Sequence, residues 1–239
     1  MIKIKNLFKK IEVDSKEKTI LNRIDLNVEK GEKVVIIGPS GAGKSTFLRC
    51  INLLENFSEG DVIFNGKSIL EFQKNILRQT IGMIFQHFNL FSHMTVKKNI
   101  TFAPVKLKIR SKKEANLQAK ELLESVKLEN KAGLFPSRLS GGEKQRVAIV
   151  RALAMNPEVL LVDEPTSALD PKTAEEIAHV LKSLASDITM IAVTHDMNFA
   201  KNLATRLVFM ENGKILEDGK IEEVFENPAN ERIRSFFQK

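Results

Sequence analysis

Three segments of this chain carry residue types and spacings suited to phosphate chemistry, and their order along the sequence matters as much as their content. Gly38-Pro39-Ser40-Gly41-Ala42-Gly43-Lys44-Ser45-Thr46 fits the phosphate-loop pattern G-x-x-x-x-G-K-[ST]. Glycines 38, 41 and 43 let the backbone wrap close to phosphate oxygens, and N–H groups at a helix start supply a field for an anion. Lys44 would then reach the β- and γ-phosphates, Ser45 would ligate Mg²⁺, and Thr46 would add a hydroxyl to the α-phosphate. Leu139-Ser140-Gly141-Gly142-Glu143 offers backbone amides and one hydroxyl without bulk. Val159-Leu160-Leu161-Val162-Asp163-Glu164 is an apolar run that ends in two carboxylates. Asp163 suits a water-mediated hold on Mg²⁺, and Glu164 suits the general base that orients or deprotonates an attacking water. Two carboxylates before Pro165 could equally cap the next helix, but the phosphate loop upstream favours the catalytic reading. The loop pattern by itself arises by chance in roughly one chain of this length in a hundred. The three segments together, in this order, leave little room for accident.

These groups need strands that end at one place. Val34-Val35-Ile36-Ile37 is apolar throughout, as a strand covered on both faces must be, and it runs straight into the glycine loop. Phe47, Leu48, Ile51 and Leu54 follow as a helical stripe, giving the strand–loop–helix context the motif requires. Ile2 and Ile4, then Ile24, Leu26 and Val28, alternate like half-buried strands, with a charged, turn-like stretch from Glu12 to Lys18 between them. Further strands are expected at Asp61–Phe64, Ile81–Phe85, Val159–Val162, Thr189–Val193 and Leu207–Met210. Ala115, Ala119, Leu122, Leu123 and Val126 mark one helix face, and Ile177, Val180, Leu181 and Leu184 another. A third helix is expected from about Glu143 to Met155. The expected fold class is α/β: a phosphate-loop, RecA-like parallel-sheet core with an N-terminal antiparallel β subdomain and an inserted helical subdomain. The chain reads as a single domain over 1–239, with core and β subdomain at 1–86 and 158–239 and the helical subdomain at 87–157.

Composition narrows the class further. With 37 basic and 30 acidic residues the net charge is +7, but the cations are scattered, so a solvated basic surface is expected and no nucleic-acid partner. One cysteine, Cys50, excludes an internal disulfide and suits a reducing cytoplasm; it sits among apolar residues and is expected to pack in the core. No apolar opening segment of signal-peptide length is present, and no run approaches the ~20 residues that cross a bilayer. A soluble protein is expected, with any membrane role supplied by a partner.

In order along the chain, Gly38–Thr46, Gln86, Leu139–Glu143, Asp163-Glu164, Ser167-Ala168-Leu169-Asp170 and His195 resemble the motifs of ABC-transporter ATPase subunits. The resemblance covers essentially the whole chain. It implies ATP and Mg²⁺ sandwiched between two copies head to tail, a homodimer or a pair with a paralogue. Ser140 and Gly142 of one copy would touch the γ-phosphate held by Lys44 of the other. Asp170 would lie at the dimer seam, His195 would hydrogen-bond the γ-phosphate, and Gln86 would sense Mg²⁺ and nucleotide. His87, His93 and His179 have no such support and are expected to be structural or exposed. The family places an aromatic residue on adenine shortly before the phosphate loop. Here the matching position is Ile11, with Phe8 and Val13 close by, so aliphatic packing would replace stacking. Glu143 stands where Gln is commonest and must point away from phosphate or meet a cation such as Lys144.

Leu48–Glu55, Met83–Phe91 and Ala103–Lys106 resemble the polar amino-acid importer branch, the glutamine and histidine type. That implies integral-membrane permease subunits, an extracytoplasmic amino-acid-binding protein acting indirectly, and a peripheral location on the cytoplasmic face of the membrane. The methionine-importer branch carries an extra C-terminal domain, and here only a short helical tail with Phe236 and Phe237 is expected after Gly213. The rival reading is an ATPase of the same fold serving as a mechanical switch in a cell-division, lipoprotein-release or DNA-repair assembly. The DNA-repair form needs a coiled coil for which 87–138 has no room.

Overall fold

Runs of consecutive aliphatic residues without polar alternation are satisfied only in strands covered on both faces. A computed structural model describes residues 1–13, 15–228 and 231–237, and such strands form its centre. The strands are β1 (Ile2–Val13), β2 (Lys16–Val28), β3 (Lys33–Ile37), β4 (Glu59–Phe64), β5 (Lys67–Ser68), β6 (Ile81–Ile84), β7 (Val159–Asp163), β8 (Thr189–Val193), β9 (Arg206–Glu211) and β10 (Lys214–Lys220). The helices are α1 (Lys44–Ile51), α2 (Lys74–Thr80), α3 (Val96–Lys106), α4 (Lys112–Ser125), α5 (Gly141–Leu153), α6 (Pro171–Leu184), α7 (Met197–Leu203), α8 (Ile221–Glu226) and α9 (Glu231–Phe237).

A six-stranded sheet runs in the order β10-β9-β3-β8-β7-β6, parallel from β9 to β6 and antiparallel only between β10 and β9. Residues of β3, β7 and β8 are buried at every position. Parallel pairing has one consequence that matters for chemistry: the carboxyl ends of β3, β8, β7 and β6 open on the same sheet edge. Val34, Ile36, Leu161 and Ile191 face a core shared with α1 and the four-stranded antiparallel sheet β2-β1-β4-β5. Their neighbours Val35, Ile37, Leu160 and Val162 face a second core closed by α6, α7, α8 and α9. A third apolar cluster joins α3, α4 and α5 through Ile100, Ala119, Leu123, Val147 and Val150.

Local chemistry sets the helix ends. Ser111 and Glu114 form a capping box that starts α4, whose buried Ala115, Ala119 and Leu123 recur every four residues on one face. Asp170 caps α6 with Pro171 at its first position, where the missing N–H costs nothing.

Several boundaries differ from the sequence expectation. Glu12 to Lys18 is not a turn: β1 continues to Val13 and β2 starts at Lys16. The first four residues of β2 are exposed, so a hairpin projecting into solvent gives no apolar alternation to read. Leu54 does not continue the α1 stripe. The helix ends at Ile51, Leu53 takes a positive φ of 54°, and the Leu54 and Glu55 amides both fold back onto the Arg49 carbonyl. Leu54 is thereby turned outward and is 39% exposed. The helix after the second motif begins at Gly141 and ends at Leu153, because the capping box starts it two residues early. Strand β10 adds a sixth strand beyond the sequence expectation, alternating in exposure along one sheet edge. Cys50 is fully buried, and burial pushes its thiol up to about 12, so it is an unreactive core residue.

Candidate nucleotide-binding site

The glycine loop leaves β3 at the parallel edge and turns on three residues with positive φ: Gly38 (147°), Gly41 (79°) and Gly43 (94°). A side chain at Gly43 would lie 2.6 Å from the Ile20 carbonyl of β2, so the glycine is also where two backbones pass closely. The Ala42 carbonyl accepts from the Gly213 amide at 3.1 Å, which ties the loop to the β9–β10 turn. Lys44 folds back over the loop and donates to the carbonyls of Gly38 (2.8 Å) and Pro39 (3.0 Å). It is buried, and that desolvation lowers its pKa while Glu164 and Asp163 pull in the other direction. Lys44 therefore sets a desolvated ammonium over the loop, a charge suited to an anion. A cleft of about 720 Å³ sits over it, walled by Lys18, Ile20, Ser40 to Thr46, Gln86, Glu164 and His195.

Strand order brings a hydroxyl and two carboxylates to the edge of this cleft. Ser45, on the first turn of α1, donates through Oγ to Asp163 Oδ1 at 2.6 Å. Asp163, at the end of β7, is completely buried. Arg49 lies one turn further along α1 on the same face, and its Nη2 is 3.5 Å from Asp163 Oδ2. The other guanidinium arm meets Glu55 Oε1 at 3.4 Å. Arg49 thus holds one carboxylate oxygen while the other faces Ser45. A hydroxyl and one carboxylate are hard oxygen donors, and among the described residues no cluster of three His, Cys, Asp or Glu forms a metal cage. That donor set fits Mg²⁺, which keeps several waters and leans on substrate phosphates.

Glu164 follows with a positive φ of 46°, its amide donating to the Val193 carbonyl at 2.9 Å. This turn aims its carboxylate toward β8, where Oε2 lies 2.7 Å from His195 Nδ1. A carboxylate can only accept, so Nδ1 carries the proton and Nε2 is left facing outward. The Glu164 side chain is 12% exposed and that of His195 62% exposed, so a largely sequestered carboxylate is held by a histidine at the cleft mouth. Gln86, just past β6, is exposed on the same wall.

The remaining motif residues lie elsewhere. None of Leu139 to Glu143, and none of Ser167 to Asp170, lines the cleft. Leu139 is buried, whereas Ser140 is exposed as the N-cap of α5. Ser140 and Glu143 form a reciprocal capping box, with N–H to Oε2 at 2.9 Å and N–H to Oγ at 3.3 Å. Glu143 meets a cation, as expected, but it is Lys131 at 3.2 Å and not Lys144. The Ser140 amide, and then Lys131, hold the Glu143 carboxyl below its usual range. Ser167 donates to the Glu164 carbonyl at 3.1 Å, Ala168 is exposed, the Leu169 amide donates to the Thr166 carbonyl, and Asp170 caps α6.

Ile11 does not line the cleft either. It is 38% exposed on the projecting hairpin, paired with Lys18, and it is Lys18 and Ile20 on β2 that form the wall. The side chain of Val13 lies outside the described residues. Lys18, Ile20, Arg49 and Lys131 were not singled out from the sequence, and only their spatial neighbours reveal them.

A parallel sheet feeding a phosphate loop, with a hydroxyl–carboxylate pair and a histidine-held glutamate at the same edge, defines a phosphate-loop nucleoside triphosphatase. The chain belongs to the ABC transporter family, whose model matches residues 21–167. It is 52% identical over 223 residues to the glutamine transport ATP-binding protein GlnQ of Bacillus subtilis, covering 92% of each chain. It is 48% identical to the arginine transport ATP-binding protein ArtM of the same organism, over 100% of this chain and 99% of that one. Among solved structures, the dimeric post-hydrolysis state of the ATP-binding cassette MJ0796 bound to ADP and Pi superimposes with a TM-score of 0.83. That match has 38% identity and covers 92% of this chain and 99% of the other.

Proposed function

We propose that this chain is the ATP-hydrolysing subunit that powers import of a polar amino acid through a membrane permease, with each ATP closed between two copies. One observation carries this reading. The cleft over Lys44 is walled by Gln86, Glu164 and His195, yet no residue from Leu139 to Glu143 lines it. A second copy placed head to tail supplies the missing wall, and the similar cassette is itself dimeric. The names of the relatives, which speak of glutamine and arginine transport, support the amino-acid cargo over a mechanical switch.

In this reading Glu164 accepts the proton of a water that attacks the γ-phosphorus in line, and the bond to the β–γ bridging oxygen breaks toward ADP. His195 holds Glu164 through Nδ1, and its free Nε2 would hydrogen-bond the γ-phosphate. Lys44 and the loop amides from Gly38 to Thr46 neutralise developing charge, and Ser140 with the Gly141–Gly142 amides does so from across the seam. Mg²⁺, when bound, would screen the β- and γ-phosphate oxygens. Ser45 would hold it directly, Asp163 through water, with Gln86 beside it. Ser167 to Asp170 face the partner copy. Residues 87–157 act as the helical subdomain that carries Ser140 into and out of contact. No helix among the described residues is long and apolar enough to cross a membrane, so attachment to the cytoplasmic face runs through the permease, and an extracytoplasmic binding protein acts through it in turn.

Turnover should therefore depend on protein concentration. Specific ATPase activity, measured from micromolar to strictly monomeric dilution, is expected to fall toward background. Ser140→Arg is expected to lower the rate by about a hundredfold or more with the fold intact. Full activity in the dilute monomer removes the shared-site reading.

The docking face for the permease has a structural candidate. A groove of about 350 Å³ between the loop after α1 and α5 is lined mostly by apolar surface, including Leu54, Met83, Phe85, Phe91 and Met155. Phe91 is 42% exposed at its rim, while Phe88, Leu90 and Met94 are half-buried off the groove. Phe91→Ser is expected to uncouple ATPase stimulation by the permease about tenfold, the loss of one aromatic anchor, while ATP binding stays as in the wild type. Equal loss of ATP binding would place Phe91 in the structural core.

A further inference from the structure

Gly142 is the second residue of α5, and its backbone is ordinary right-handed helix, so backbone conformation alone does not call for glycine. The reason for glycine is spatial. A Cβ at Gly142 would lie 2.4 Å from Thr173 Cγ2 of α6, closer than carbon atoms can approach. The other Thr173 atoms are well placed, with Cβ at 3.8 Å and Oγ1 at 3.9 Å, so one methyl group accounts for the whole conflict. Thr173 cannot turn that methyl away freely. Its Oγ1 donates to Asp170 Oδ2 at 2.7 Å and its amide donates to Asp170 Oδ1 at 3.0 Å. These two bonds hold the Asp170 carboxyl below its usual range. Rotating χ1 to move the methyl would also carry Oγ1 off Asp170 Oδ2, because both are bonded to the same Cβ. At Gly141 the fit is looser: an added Cβ would lie 3.2 Å from Leu169 Cδ2, the end of a side chain that can shift by a few tenths of an ångström.

We propose that Thr173 is a positioning residue that locks the start of α5 to the Ser167–Asp170 loop within one protomer, and that Gly142 is glycine because Thr173 fills its side-chain space. A displacement of the α5 amino end is passed through Thr173 to Asp170, so the two seam-facing segments of a protomer move as one body. This rests on the shared-site reading for its effect on turnover, but the steric claim stands on the single chain.

The test is a rescue. Gly142→Ala is expected to lower the melting temperature of the nucleotide-free protein by about 3–8 °C, through overpacking in a chain of this size. It should also lower kcat by about tenfold to a hundredfold through misplacement of the α5 amino end. Adding Thr173→Ser removes only the methyl and keeps the hydroxyl on Asp170, so the double variant is expected to regain most of both losses, with Thr173→Ser alone as the reference. If the double variant recovers neither, the contact does not dictate the glycine and the proposal fails. If the melting temperature recovers and kcat does not, the contact dictates the glycine in the single chain but does not act on turnover, and the link from α5 to the Ser167–Asp170 loop fails while the shared site stands. If Gly142→Ala melts early but hydrolyses ATP at the wild-type rate, displacement of the α5 start does not reach turnover and the link to the Ser167–Asp170 loop fails, while the dilution series judges the shared site separately. Thr173→Val keeps the methyl contact and removes the hydroxyl. It is expected to lower kcat about threefold to tenfold, the worth of one hydrogen bond, with ATP binding to dilute protein unchanged. An unchanged kcat there overturns the link to Asp170.

Discussion

Glu164→Gln is expected to stop turnover while leaving a stable, ATP-loaded dimer. The substitution keeps shape and keeps an acceptor for the His195 Nδ1–H, now 2.7 Å from Oε2, so the local structure has no reason to move. What it removes is the group that can take a proton from water, a contribution of about 10²–10⁴ in rate. Product formation is what lets the two copies separate in the shared-site reading, so a chain that binds but cannot cleave accumulates closed. Phosphate release, together with light scattering in the presence of ATP and Mg²⁺, reads both halves of this expectation. Full turnover in the amide variant would show that Glu164 is not the base, and the phosphates of ATP would then have to accept the proton themselves.

Gly38→Ala is expected to be the most damaging single-methyl change in the loop. An added Cβ would lie 1.9 Å from the Met210 carbonyl oxygen and 3.0 Å from its carbon. Neither backbone can yield. Ile37, just before it, is in register with Phe209 in the β3–β9 pair, and Met210 is paired with Ile215 of β10. The φ of 147° adds strain to the clash. A loss of about 3 kcal/mol or more follows, a fall of about 6–12 °C in melting temperature. Gly41→Ala supplies the control, since Gly41 also has positive φ but nothing within 4 Å of an added Cβ. Its cost is backbone strain alone, about 1 kcal/mol. Thermal unfolding of the two variants should separate clearly; equal shifts would mean that φ and not the Met210 carbonyl sets the requirement.

The parts of the site that could be read in advance share a property. The loop from Gly38 to Thr46, the carboxylates at 163 and 164 and the histidine at 195 each follow an apolar run that is buried on both faces. Continuous apolarity marks a central parallel strand, and the carboxyl end of such a strand is where ligands bind, so local sequence carried both element and role. The projecting hairpin was harder because its exposed ends bear no periodic signal, and a charged strand there reads as a turn. For the same reason nothing in the local pattern singles out Lys18 and Ile20, which line the cleft. Leu54 fits a helical stripe in sequence, and only the return of its amide to the Arg49 carbonyl shows that the helix has ended.

By itself, then, the sequence determined which groups this chain brings to phosphate chemistry, because glycine spacing, strand apolarity and charge at strand ends act over a few residues. Tertiary structure decided which groups meet: Arg49 with Asp163, Lys131 with Glu143, Thr173 with Gly142, and a Met210 carbonyl against Gly38. Each of those pairs brings together residues on different elements, and their distances depend on how sheets and helices pack against one another. Steric exclusion and ion pairing fall off within a few ångströms, so no local pattern can announce them before the fold has placed both partners.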